Sequence, residues 1–125
     1  MPKFNTILVV DDSDLDRETL ARCIKKHGYN VITAEDGMQA LQMAKDIKPN
    51  CIFLDIVMPG ISGLEVMRSM HEDPATSNIP VVLCTTKGLR ADKMWGMRNG
   101  ASEYIVKPIN ETDVLNAIKK LEESE

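Results

Sequence analysis

Five short apolar runs divide this 125-residue chain, and four of them lead straight into residues able to do chemistry. The runs are Ile7-Leu8-Val9-Val10, Val31-Ile32-Thr33-Ala34, Cys51-Ile52-Phe53-Leu54, Ile79-Pro80-Val81-Val82-Leu83-Cys84 and Tyr104-Ile105-Val106. Their length and β-branched content suit strands, and runs apolar throughout suit strands buried on both faces. Between them apolar residues recur at helical spacing: Leu15, Leu20, Cys23, Ile24 and His27; Ala40, Leu41, Ala44 and Ile47; Leu64, Val66, Met67 and Met70; a segment from about 89 to 99; and Val114, Leu115, Ile118 and Leu121. Gly28, Pro49, Asp73-Pro74 and Gly100 punctuate the helices, and Asn110 and Asp113 stand where a cap and a negative charge help the last one. Five strands alternating strictly with five helices predict an α/β fold, a doubly wound parallel sheet with right-handed crossovers. Residues 122–125 are expected to fray.

The carboxyl ends of such strands form the edge where open α/β sheets bind ligands. Asp11 and Asp12 end the first run and Asp55 the third. One Asp after a strand is most simply a helix N-cap. Three converging on one mouth repel one another, and a divalent cation relieves that cost; hard oxygen donors suit magnesium. The fourth run ends in Thr85-Thr86-Lys87 and the fifth in Lys107-Pro108. Lys107 reads either as a solvated lysine or as a point charge for Asp55 or a phosphoryl oxygen. Thr85 reads either as a turn hydroxyl or as a donor to the same oxygen.

A net charge of −4 and a pI near 5.2 oppose electrostatic grip on DNA or other nucleic acid. No apolar stretch is long enough to cross a bilayer, and the start shows no signal peptide, so the expected compartment is the cytoplasm. Cys23, Cys51 and Cys84 form no CxxC and read as buried small hydrophobes; His27 and His71 lack zinc-ligand spacing to them. Met38, Met43, Met67 and Met70 read as packing residues. Trp95, with Met94, Met97 and Leu89, reads either as an adaptable docking patch or as half-buried against the last helix. Residues 1–125 are expected to form one domain, with no separate output domain.

The acid pair Asp11-Asp12, the segment Asp55-Ile56-Val57-Met58-Pro59-Gly60, the Cys84-Thr85-Thr86-Lys87 end and residues 100–108 (GASEYIVKP) together resemble a response-regulator receiver domain of the stand-alone, CheY-like kind. Thr85-Thr86-Lys87 with residues 92–96 (DKMWG) resembles more narrowly the regulators of type IV pilus (twitching) chemosensory systems. The resemblance implies sheet order 2-1-3-4-5. It implies Asp55 as phosphoacceptor from a histidine kinase, and Asp12, Asp55 and the Val57 carbonyl as magnesium ligands, with Asp11 holding a metal-bound water. It makes Thr85 and Tyr104 the switch pair, Lys107 the phosphate-pairing lysine and Lys107-Pro108 a cis peptide. It also implies a monomeric signalling protein acting on a motility component, or draining phosphoryl groups from a shared kinase, rather than an enzyme. Val57 and Lys87 would reach over the phosphoryl group. Val57 cannot orient a water, so self-dephosphorylation is expected to be slow.

Three rivals share features. A haloacid-dehalogenase-type phosphatase would use Asp12-Ser13-Asp14 and carry phosphoryl on Asp12, but the chain is short for it. A flavodoxin needs a neutral, hydroxyl-rich first loop, which Asp11 and Asp12 oppose. An EF-hand loop from Asp12 fails at Arg17, where glycine is required, and at Cys23, where glutamate is.

Overall fold

The computed structural model describes residues 3–86, 88 and 90–124. Lys87 and Leu89, both singled out above, lie outside the described residues. The elements run β1 (Thr6–Val10), α1 (Asp14–Lys26), β2 (Asn30–Ala34), α2 (Gly37–Ile47), β3 (Cys51–Asp55), α3 (Gly63–Glu72), β4 (Val81–Thr85), α4 (Arg90–Arg98), β5 (Glu103–Val106) and α5 (Glu111–Glu123). All strand pairings are parallel and the order is β2-β1-β3-β4-β5. The alternation expected from the sequence is therefore the alternation found. The chain leaves β1 toward one edge and returns to start β3 on its other side, so β1 and β3 flank the switch point.

Two apolar layers sandwich the sheet. One joins Ile7, Val9, Cys51, Phe53, Val82, Cys84 and Ile105 to α1 and α5. The other joins Leu8, Val10, Ile52, Leu54, Leu83 and Tyr104 to α2 and α3. Strand alternation assigns each residue to its side.

Local chemistry sets the helix starts. Ser13, Asp36, Ser62 and Asn110 each cap a helix by accepting a backbone N–H three residues on. Gly28, at φ 96°, closes α1 as expected. Gly63 admits no side chain: a Cβ there would lie 2.1 Å from the Asp55 carbonyl oxygen, so only glycine lets α3 start against the end of β3. The Lys107–Pro108 peptide is cis.

Several expectations fail, each for a physical reason. Leu15 shares the helical spacing of Leu20 and Ile24 but is 74% exposed, because it falls in the first turn, above the layer that covers those two residues. Ile47, in the last turn of α2, is exposed, and Met38, in its first turn, is 68% exposed; Met67 and Met70 are core as expected. The C-terminal segment does not fray at Glu122. Its carboxylate accepts the backbone N–H groups of Lys3 and Phe4 at 2.7 and 2.8 Å and the Tyr29 hydroxyl at 3.1 Å, tying α5 to the segment that leads into β1.

Candidate functional site

Strand periodicity decides which charged side chains meet. Val9, Phe53 and Ile105 face the α1/α5 layer. Two residues further along each strand direction, on the same face, stand Asp11, Asp55 and Lys107. Val9 pairs with Phe53, and that register carried on sets Asp11 beside Asp55. Asp12 follows Asp11 and is exposed at the mouth. Asp11, Asp12 and Asp55 each offer an oxygen, and these oxygens lie within 4.8 Å of one another.

Lys107 is the cation of the cluster. Its Nζ lies 2.8 Å from Asp11 Oδ2, 3.0 Å from Asp16 Oδ2 and 3.5 Å from Asp55 Oδ2. The side chains of Lys107, Asp11 and Asp55 are only 11%, 6% and 10% exposed. Burial works against the ammonium charge, but hydrogen bonds to Asp11 and Asp16 outweigh it and hold Lys107 above the usual lysine range. Burial likewise raises the Asp55 carboxyl above its ordinary value; Lys107 opposes that rise, Asp11 adds to it, and the Val57 N–H donates to the carboxylate. One positive charge thus serves three acids, with Asp12 beside them at the mouth. The remaining negative charge, the all-oxygen donor set and the open side at Asp12 fit a magnesium ion, which binds one or two carboxylates and keeps several waters. Asp11, Asp12 and Asp55 are the side chains that would hold it.

The raised Asp55 carboxyl has a stability consequence. A carboxyl that binds its proton more tightly folded than unfolded favours the fold at low pH, and that contribution is lost as pH rises through the raised value. Ionised Asp55 therefore opposes folding at neutral pH. Asp55→Asn is expected to stabilise the metal-free protein at neutral pH, with the gain vanishing on acidification into the ordinary carboxyl range. Thermal melting in chelator across pH checks this.

The remaining candidates lie apart from the acids by strand parity. Thr85 alternates with Cys84 and so falls with Leu83 on the layer that holds Tyr104. Thr85 is fully buried and Tyr104 nearly so. A Cβ on Gly96 would come within 2.9 Å of the Tyr104 ring, so α4 presses directly on Tyr104 through a glycine. The Thr85 carbonyl accepts the Lys107 N–H at 2.8 Å, which links the two groups through backbone. Val57 is 60% exposed beside the mouth and brings no polar side chain to it. Trp95 is about half-exposed and shares a cleft with Ile56, Leu64, Asp92 and Tyr104, so it packs toward α3 and β5 rather than α5.

Two participants escaped the sequence reading. Arg17 is buried, donates to the Asp11 carbonyl at 2.9 Å and pairs with Asp14, pinning the β1–α1 turn. Asp16 reaches Lys107. The available signal was Ser13, whose capping role fixes Asp16 at the third helical position. Beside Lys107 a groove opens, lined by Leu15, Leu20, Thr86, Pro108 and Ile109.

A family model described as the response regulator receiver domain matches residues 7–119. The chain belongs to the response regulator receiver family. This receiver is 42% identical to Protein PilH of Pseudomonas aeruginosa over 112 residues, 90% of this chain and 93% of that one. It is 37% identical to Protein PilG of the same organism, across 90% of this chain and 84% of that one. Among solved structures it resembles the chemotaxis protein CheY4 of Vibrio cholerae, with 29% identity, a TM-score of 0.87, and 94% of this chain and 98% of that one covered. Receivers of two-component systems accept phosphoryl groups rather than turn over a substrate, partner with histidine kinases and typically use magnesium at an acidic pocket; nothing in these likenesses points to a phosphatase. No helix among the described residues is long and apolar enough to cross a membrane.

Proposed function

We propose that Asp55 accepts the phosphoryl group and that Lys107, Asp11 and Asp12 serve the transfer. The observation that carries this is the convergence of a buried acid, a buried ammonium and two further acids at the switch point of the sheet. In the transfer an Asp55 carboxylate oxygen attacks phosphorus in line. A P–O bond forms as the P–N bond to the kinase imidazole breaks, and the released nitrogen takes a proton from solvent. Asp11, Asp12 and Asp55 would hold a magnesium ion, which would supply charge neutralisation to the transferring group. Lys107, 3.5 Å from Asp55, is placed to neutralise charge on a phosphoryl oxygen. Asp12 is a poorer acceptor than Asp55: it is exposed, whereas Asp55 is buried beside Lys107, which disfavours the dehalogenase-type reading.

Phosphorylated Asp55 carries close to two negative charges. Drawing the buried Thr85 hydroxyl toward them opens space in the layer shared with Tyr104, and Tyr104 moving in reshapes the α4–β5 surface, where Met94, Trp95, Met97 and Val106 are exposed. The phosphoryl group biases two pre-existing states. The chain then signals, or acts as a phosphoryl sink, through the surface of this receiver domain. A pilus-type chemosensory pathway is the reading that the segment 92–96 and the relatives named PilH and PilG support.

The test is transfer from radiolabelled cognate kinase. Wild type is expected to gain label and Asp55→Asn none; label on Asp55→Asn overturns the assignment. With Val57 unable to orient a water, the label is expected to persist for minutes in the isolated protein. Decay within seconds contradicts that expectation.

A further inference from the structure

We propose that Asp16 is a positioning residue that holds Lys107 off the acceptor and competes with the arriving phosphoryl group for it; the proposal rests on Asp55 as that acceptor.

Asp16 occupies the third position of α1, where an acid ordinarily reaches back to the N–H of the capping residue. Here that N–H is already taken: Ser13 donates it to Asp11 Oδ1 at 2.9 Å. Ser13 still caps Asp16 through its hydroxyl, so the backbone of Asp16 stays fixed while its carboxylate is released. It turns to Lys107 at 3.0 Å, closer than Asp55 at 3.5 Å. Asp14, one residue into the same turn, takes the opposite course and pairs with Arg17.

The three partners of Lys107 differ in how readily they let go. Asp11, 6% exposed, would be left buried and unpaired. Asp55 becomes the acceptor. Asp16 is 44% exposed, so water can replace the ammonium if Lys107 turns away. Asp16 is therefore the releasable partner: it stabilises the lysine in the resting state and must be given up when a phosphoryl oxygen claims the same donor. The resting receiver is biased against phosphorylation by the strength of this one pair.

Beryllofluoride, an acyl-phosphate mimic, binds in place of the phosphoryl group and tests this at saturating magnesium. Titration by calorimetry is expected to show about two- to fivefold tighter binding for Asp16→Asn, the scale of one half-exposed ion pair. Asp16→Glu, which keeps the charge within reach, is expected to return the affinity to that of wild type. Glu18→Gln removes the same unit of charge from the same helix at an exposed position and is expected to change nothing. Unchanged or weaker binding by Asp16→Asn overturns the proposal, as does an equal gain in Glu18→Gln, which would mark a bulk charge effect. Melting curves confirm that each variant is folded, and Asp16→Ser serves as a second neutral variant. If wild type binds beryllofluoride no better than Asp55→Asn, the acceptor assignment itself fails; if wild type binds and the Asp16 variants match it, only the role of Asp16 fails.

Discussion

Lys107→Ala is expected to slow phosphorylation by a small-molecule donor about 100- to 1,000-fold, the range for losing one preorganised charge at a reacting oxygen. The same change is expected to destabilise the fold by about 3 kcal/mol at neutral pH, because it leaves buried acids without their cation. The ammonium lies within 3.5 Å of Asp11, Asp16 and Asp55, and Asp11 and Asp55 are nearly inaccessible to water. The sign with pH follows. Lys107 is held above the usual lysine range, so its contribution is complete at neutral pH and is lost only in strong alkali, as pH rises through the raised value. In Lys107→Ala the destabilisation shrinks on acidification, as Asp55 takes up a proton. Magnesium is expected to restore much of the stability, since it also neutralises the acids, but not the rate. Melting curves with and without magnesium, alongside phosphorylation kinetics, separate the two effects. Loss of rate with no loss of stability would mean that the acids are not charge-balanced by Lys107.

Asp12→Asn is expected to weaken magnesium binding by about tenfold or more while leaving the metal-free fold intact. Asp12 is exposed, so its charge contributes little to folding. Its oxygen nevertheless lies within 4.8 Å of those of Asp11 and Asp55, which makes it the open-side member of the donor set. The readout is direct. At a concentration 100 times the wild-type dissociation constant, magnesium stabilises wild type by about 2.7 kcal/mol; a tenfold weaker site retains only about 1.4 kcal/mol. Calorimetric titration and the magnesium-induced rise in melting temperature report the same number independently. Equal rises in wild type and Asp12→Asn would remove Asp12 from the site.

How much of this was legible in the sequence depends on what each residue answers to. The sheet was legible because buried parallel strands carry unbroken apolar runs, and β1, β3 and β4 are buried along nearly their whole length. Asp11, Asp55 and Lys107 were legible for the same reason: once three strands share a direction, the residues just beyond them share an edge. Helix ends were less so. Leu15, Met38 and Ile47 fit the apolar spacing yet lie in first or last turns that overhang the core, and spacing alone does not say how far a layer extends. Glu122 was unreadable as an anchor because its partners, Lys3, Phe4 and Tyr29, are brought to it only by the closed fold. Asp16 was hidden differently. At the third position of a helix it already had a sufficient local role, and only the hydrogen bond between Ser13 and Asp11 frees it for Lys107.

The acceptor assignment is tested most directly by phosphorylating the purified protein with a small-molecule donor and magnesium, then trapping and mapping the modified residue by mass spectrometry. The expected result is a single phosphoryl group on Asp55, absent without magnesium and absent in Asp55→Asn. A phosphoryl group on Asp12, or on any residue outside the acidic mouth of the sheet, would contradict the account.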